Sequence, residues 1–212
     1  MKRSLICVLI AAASCTAPSV DGDLEAGALG ETEAAEAVSP EGGAAALARR
    51  RAASAPGEEL AALATLVGDW DLRIEASDTE LGAGAASIAP VLGGRFLEWR
   101  VTTRIGEVEV RSRGLLGFDR ERGLHELTWA GEGSSAQRIA RGRGDAHRGG
   151  ILLELAELDP EDGGVRRSRT RLRITSPEAF SLAQETWDPE AGDWRPLTVT
   201  SYRRQSAGEA RD

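Results

Sequence analysis

From Trp70 to Arg204 the chain is a succession of short stretches in which apolar and polar side chains alternate, broken about every ten to fifteen residues by Gly, Asp and Pro. A side-chain period of two sends successive residues to opposite faces, so this region folds as sheet with one face buried. Strands are predicted over 71–76, 83–92, 95–105, 107–118, 124–130, 135–142, 150–158, 165–174, 180–187 and 194–203. Leu92-Gly93-Gly94-Arg95 and Ile105-Gly106 read as tight connections. Longer links are Asp119-Arg120-Glu121-Arg122-Gly123, Asp159-Pro160-Glu161-Asp162-Gly163-Gly164, Ser176-Pro177 and Asp188-Pro189-Glu190-Ala191-Gly192-Asp193. About ten strands with no helical pattern between them leave an all-β sandwich or an up-and-down barrel.

Alternation also assigns faces. Glu107, Glu109, Arg111 and Arg113 interleave with Val108, Val110 and Ser112, and Arg167, Arg169, Arg171 and Arg173 interleave with Thr170, Leu172 and Ile174. The second row invites an anion-binding interpretation. Carboxylates on neighbouring segments, Glu107, Glu109, Glu154 and Glu157, favour a solvated exterior of cross-strand ion pairs instead.

Ahead of the strands, Pro56-Gly57-Glu58-Glu59 opens a run with Leu60, Leu63, Leu66 and Val67 at helical spacing, closed by Gly68. It predicts one short amphipathic helix of about three turns. Residues 16–55 hold no aromatic residue and carry Asp21, Asp23, Glu25, Glu31, Glu33, Glu36 and Glu41 before Arg49. They read as a disordered, self-repelling acidic linker with a transient helix over 44–53, and the Arg49-Arg50-Arg51 run as solvated charge. Residues 205–212 form a short tail.

Residues 1–15, MKRSLICVLIAAASC, combine basic Lys2 and Arg3, an apolar run and small residues ending on Cys15. The segment resembles the lipobox of bacterial lipoproteins, in which that cysteine is acylated and becomes the first mature residue. Ala12 stands where lipoboxes usually carry leucine, and an ordinary secretory signal is the alternative. The resemblance implies an exported protein, held to a membrane of the cell envelope through Cys15 and facing the periplasm or the exterior.

Charge and residue chemistry exclude several classes of function. With Asp+Glu 34 against Lys+Arg 26 the net charge is -8, which opposes neutralisation of a phosphate backbone, so no nucleic-acid partner is expected. Cys7 lies in the segment to be cleaved and acylation consumes Cys15, so no disulfide is available. His125 and His147 have no His-x-x-x-His or Glu-x-x-His companion, so no metal site is expected. His147 sits in a Gly-rich turn. There is no Gly-x-Ser-x-Gly elbow, Gly131-Glu132-Gly133-Ser134-Ser135 reads as a hairpin tip, and no catalytic residue is assigned.

Four motifs occur in order: Leu66-Val67-Gly68-Asp69-Trp70-Asp71, Leu92-Gly93-Gly94-Arg95-Phe96-Leu97, Leu116-Gly117-Phe118-Asp119 followed by Trp129, and Trp194-Arg195 with Tyr202-Arg203-Arg204. Together they resemble the DUF1579 family of uncharacterised bacterial proteins over about residues 58–204. The resemblance implies a lipocalin-like barrel of the calycin group, about ten antiparallel strands with one short N-terminal helix, spanning 56–204. It implies no reaction. In the lipocalin pattern Gly68-Asp69-Trp70 would place Trp70 at the barrel floor, with Arg203 or Arg204 packed across its ring. Gly93 and Gly94 would permit positive φ in a hairpin, and Gly117 with Asp119 would shape the next turn.

A barrel of this size has room for one small ligand or for a filled core. By alternation Leu97, Trp99, Val101, Leu127, Trp129, Thr198, Thr200 and Tyr202 face inward, and His125 shares its face with Leu127 and Trp129. His125 is either a hydrogen-bonded wall histidine or, because haem-binding barrels exist among relatives of the implied fold, an axial ligand to haem; no cofactor is required by the pattern. The expected function is binding of a small, partly apolar ligand or lipid without catalysis. The alternatives are a solid-barrel interaction or envelope-structural module, and a hydrolase or isomerase at the barrel mouth.

Overall fold

Each predicted segment is a strand: β1 (Gly68–Ala76), β2 (Thr79–Val91), β3 (Phe96–Ile105), β4 (Val108–Asp119), β5 (Leu124–Gly131), β6 (Ser134–Asp145), β7 (Gly150–Leu158), β8 (Val165–Ser176), β9 (Ala179–Asp188) and β10 (Asp193–Arg204). Every strand pairs antiparallel with its neighbours in sequence, and β1 also pairs with β10. The sheet is therefore a closed ten-stranded barrel, and closure leaves no free edge. The structure, a computed structural model, describes residues 40–53, 55–145, 150–158 and 164–206. Cys7, Cys15 and His147 lie outside the described residues, as do the proposed signal and the tail beyond residue 206.

The first hairpin escaped the turn signals because it contains no glycine. Ser77 and Asp78 carry φ of 47 and 63, so two ordinary residues adopt the left-handed conformations of a two-residue hairpin. At the next turn Leu92, Gly93 and Gly94 have φ of 53, 71 and 78. Gly117 is not a turn residue: it lies within β4 opposite Phe96, whose ring occupies the space a Cβ would need. The β4–β5 turn is shaped by Asp119, whose Oδ1 accepts from the backbone N–H of Glu121 and Arg122, and by Gly123 with φ of 63.

The expected three-turn helix is two pieces, α2 (Glu58–Ala61) and a 3-10 turn (Ala64–Leu66). Leu63, at φ -94 and ψ 0, ends the first, and Val67 is already extended. The break seats both Leu63 and Leu66 in the core at 4% and 0% exposure. It also aims the Leu66 carbonyl at Trp70, whose Nε1 donates to it at 2.8 Å. Upstream, α1 (Pro40–Ala53) is a 14-residue helix within the segment expected to be disordered, beginning before the predicted 44–53. Its alanine density, with Arg50 and Arg51 in the last turn, favours that conformation. It belongs to a unit separate from the barrel.

One end of the barrel is closed by a clasp. Trp70 and Arg204 are cross-strand partners on the inner face of β1 and β10, and the Arg204 guanidinium stacks 4.3 Å from the Trp70 ring. Arg204 also donates to the carbonyls of Val67 (2.9 Å), Thr65 (2.7 Å) and Pro177 (3.1 Å). These bonds tie the 3-10 turn and the β8–β9 turn to the last strand. Gly68, at φ 140, leaves room for that guanidinium, since a Cβ there would fall on its terminal nitrogen. Arg203 faces the exterior and is exposed.

The exterior is ion-paired, with corrections to the expected partners. Arg169 donates to Glu185 at 2.5 Å and Arg171 approaches the same carboxylate at 4.0 Å, so β9 supplies the counter-charge. Arg167 and Arg169 stack on Trp194, with Trp187 edge-on to it. Glu157 is not exterior at all. Glu98 on β3 is clamped by Arg100 and Arg113; burial raises its pKa, but the two hydrogen bonds and adjacent charges win and hold the carboxyl below the usual range.

Removing the clasp is expected to lower the stability of the whole barrel. Arg204→Ala should cost about 2–4 kcal/mol through the lost charge-assisted bonds and ring contact, and Gly68→Ala should be destabilising in the same direction. Arg203→Ala should stay within about 0.5 kcal/mol of the parent. Urea unfolding of the three variants is the check.

Candidate functional site

Register places every interior candidate on the inner wall. Leu97, Trp99 and Val101 on β3 face Leu116, Gly114 and Ser112 on β4, and His125, Leu127 and Trp129 on β5 continue the same face. On β10, Thr198, Thr200 and Tyr202 face Gln184, Leu182 and Phe180 of β9. A bulge at Pro196 sets this phase, since β10 shifts register between Pro196 and Thr198.

The candidates separate into two layers. Toward the clasp, the interior is packed with rings: Phe180 stacks on Tyr202 at 4.1 Å, Trp70 meets Phe180 edge-on at 4.7 Å, and Trp99 reaches Phe180 at 5.7 Å, Tyr202 at 6.0 Å and Trp129 at 6.3 Å. Trp99 starts on β3 and touches β5, β9 and β10, so it bridges the barrel at this level. It is 0% exposed, and Leu97, Val101 and Tyr202 are buried with it. Burial pushes the Tyr202 hydroxyl above its ordinary range. Gly114 is required here because the Trp129 ring covers the place of its Cβ.

Toward the other rim the inner wall turns polar. Thr198 is buried and donates to Gln184 Oε1 at 3.0 Å. Ser168 and Thr170 on β8 face Thr186 and Gln184 on β9. Beyond them, three charged side chains lie in cross-strand sequence on β6, β7 and β8. Glu157 Oε2 is 3.0 Å from Arg138 Nε, and Glu157 Oε1 accepts from Arg166 Nη2 at 2.6 Å. Arg138 is opposite Trp129 and Arg166 opposite Glu157, which fixes all three on the inner face.

Sequence reasoning missed this rim because its charges looked like surface. The signal was available in β7, where Glu157 continues the period-two row Ile151, Leu153 and Leu155, and in β8, where Arg166 and Ser168 extend the row Thr170, Leu172 and Ile174. In β6 the hydrophobic cue points the wrong way: Ile139 is exposed at 38%, while Arg138 takes the inner face.

Among the described residues, Trp99 Nε1 and His125 Nδ1 on the inner wall are buried without a hydrogen-bond partner, whereas Arg138 Nε is held 3.0 Å from the Glu157 carboxylate. His125 packs edge-on against Phe118 at 4.9 Å. Two outer depressions of about 710 and 850 Å³ follow the small outward side chains Ala83, Ala85 and Ser87 of β2. The wall of the first includes Arg100 and Arg113, already engaged by Glu98, and Arg111, engaged by Glu109, while the second is lined by Arg73, Arg104 and Arg203 with Asp71, Glu75 and Glu109. Among the described residues no group of three or more His, Cys, Asp or Glu side chains gathers, and no helix is long and apolar enough to cross a membrane.

Burial lowers the pKa of His125 from its ordinary 6.5, with the Glu59 carboxylate opposing part of the shift. Folding then favours the neutral ring, so the unfolded chain binds more protons below pH 6.5 and stability falls as pH drops toward the folded pKa. His125→Gln is expected to shrink the loss of unfolding free energy between about pH 7 and about pH 5, read from denaturant titrations at both pH values.

The motifs at the clasp and along β3 and β4 lie within a matched family model. Residues 55–204 match the model described as Protein of unknown function (DUF1579). No curated protein matches the chain significantly. Among solved structures, Rv2717c from M. tuberculosis is similar at 20% identity, with 69% of this chain and 97% of that chain covered and a TM-score of 0.49. With the match spanning nearly the whole barrel, the chain belongs to the DUF1579 family.

Proposed function

We propose that the protein is an exported, lipid-anchored envelope protein whose lipocalin-like barrel binds one small, partly apolar ligand without transforming it. The observation that carries this reading is the polar half of the inner wall, above the ring layer and opposite the clasp. A barrel built only to be filled gains most from apolar side chains, and each inward hydroxyl, amide or charge lowers stability unless it is bonded. Here Ser168, Thr170, Gln184, Thr186 and Thr198 share one stretch of wall with Arg138, Glu157 and Arg166. Trp129, partly buried and edge-on to Trp99, supplies an apolar surface beside them. Such a mixture suits a ligand with an apolar body and a few hydrogen-bonding groups. The packed ring layer favours a competing reading, a solid interaction module.

Native mass spectrometry of the full-length protein purified from its own host separates the two. The expected result is a reproducible added mass that disappears on denaturation and is absent from a Ser168→Phe variant, which fills the polar half. A bare polypeptide mass with no thermal shift across lipids and small metabolites would favour the solid module. Anchoring has its own check: Cys15→Ser should move the protein from the membrane fraction to the soluble exported fraction and remove the acyl mass. An unchanged distribution would rule out the lipobox assignment.

A further inference from the structure

We propose that the polar row across β8, β9 and β10 is a carbonyl site, in which the Gln184 amide and the Thr170 hydroxyl donate to the oxygen of an uncharged ketone, ester or amide on an otherwise apolar ligand. This rests on the interior-binding reading above and adds the class of ligand. Register sets Thr170 opposite Gln184 and Gln184 opposite Thr198, so three hydrogen-bonding side chains lie side by side on the inner face of adjacent strands. One end of the row is already satisfied, because buried Thr198 donates to Gln184 Oε1 at 3.0 Å. With that oxygen engaged, Gln184 is left with Nε2, which can only donate. Neither this nitrogen nor the Thr170 hydroxyl has a hydrogen-bond partner among the described residues. Two donors on facing residues of adjacent strands match the two lone pairs of one carbonyl oxygen.

The row also marks where exposure stops on β8 and β9. Thr170 and Gln184 keep part of their surface, whereas the next inward residues toward the clasp, Leu172 and Leu182, are 2% and 9% exposed. Leu127 with its cross-strand partner Ala140, and Leu155 opposite Ser168, retain some surface on the same inner face and give an apolar body a wall to lie against. The donors of the row are dipoles without charge. An ionised head placed among them would lose its hydration to an amide and a hydroxyl alone, while a carbonyl oxygen gives up far less and gains both bonds. Toward the rim, Arg138 and Arg166 are both engaged by Glu157.

Tryptophan-fluorescence titration of the full-length protein with three ligands of matched length tests the proposal: 2-undecanone, undecane and undecanoic acid, at about pH 8, where the acid is ionised. The ketone should bind about tenfold tighter than the hydrocarbon, and the carboxylate no tighter than the hydrocarbon. In Gln184→Met the ketone should fall to the affinity of undecane while undecane itself is unchanged, and Thr170→Val, close in shape to the parent, should narrow the gap in the same direction. Thermal unfolding of both variants confirms that the barrel is intact. Equal binding of ketone and hydrocarbon by the parent would overturn the carbonyl site and leave interior binding standing. A gap that survives both substitutions would overturn its placement in this row, and tightest binding of the carboxylate would overturn the uncharged class. If none of the three binds, interior binding of such ligands fails and the carbonyl site fails with it.

Discussion

The barrel depends on one guanidinium. Arg204, from the end of the last strand, lies across the ring of Trp70 from the first and donates to carbonyls of the N-terminal turn and of the β8–β9 turn. A closed sheet must join its first and last strands, and that seam forms between residues far apart in sequence, where loop-closure entropy is highest. The clasp adds ring stacking and charge-assisted bonds at that seam. It also dictates the local sequence: Gly68 because a side chain would displace the guanidinium, and Leu66 because its carbonyl must meet the Trp70 ring nitrogen.

With one end tied down, the interior divides along the barrel axis. The half nearest the clasp is a cluster of rings in edge-on and stacked contact, which provides close packing. The other half retains hydroxyls, an amide and a charged triad on its wall. The first half is packed ring against ring, and the second is held by polar contacts, Thr198 to Gln184 and Arg138 and Arg166 to Glu157. Trp99 and Tyr202, noted at first as ligand candidates, lie in the ring layer, and Arg138, Glu157 and Arg166 lie toward the opposite rim.

Much of this was legible in the chain itself, for specific reasons. Strict alternation in β4 and β8 revealed the strands and their faces, and Gly93-Gly94 marked a turn because few other residues tolerate its backbone. The Ser77-Asp78 hairpin was not legible, since neither residue announces a positive φ. Nor was the break after α2, where the apolar spacing of Leu60, Leu63 and Leu66 looks continuous and the interruption comes from the need to reach Trp70. Gly117 read as a turn glycine and proved to be a contact with Phe96, a distinction that needs the opposing strand.

What the sequence determined by itself is the class of fold and the parity of its strands, because side-chain period is a local property of the backbone. That Arg138 faces the interior was decided only by tertiary structure. Alternation in β8 already placed Arg169 outside, whereas in β6 the apolar neighbour of Arg138, Ile139, is the exposed residue and misleads. Register across the barrel settled it by placing Arg138 opposite Trp129. Counter-charge followed the same logic, because an ion pair forms between side chains on one face of adjacent strands, and adjacency across a sheet is a long-range fact.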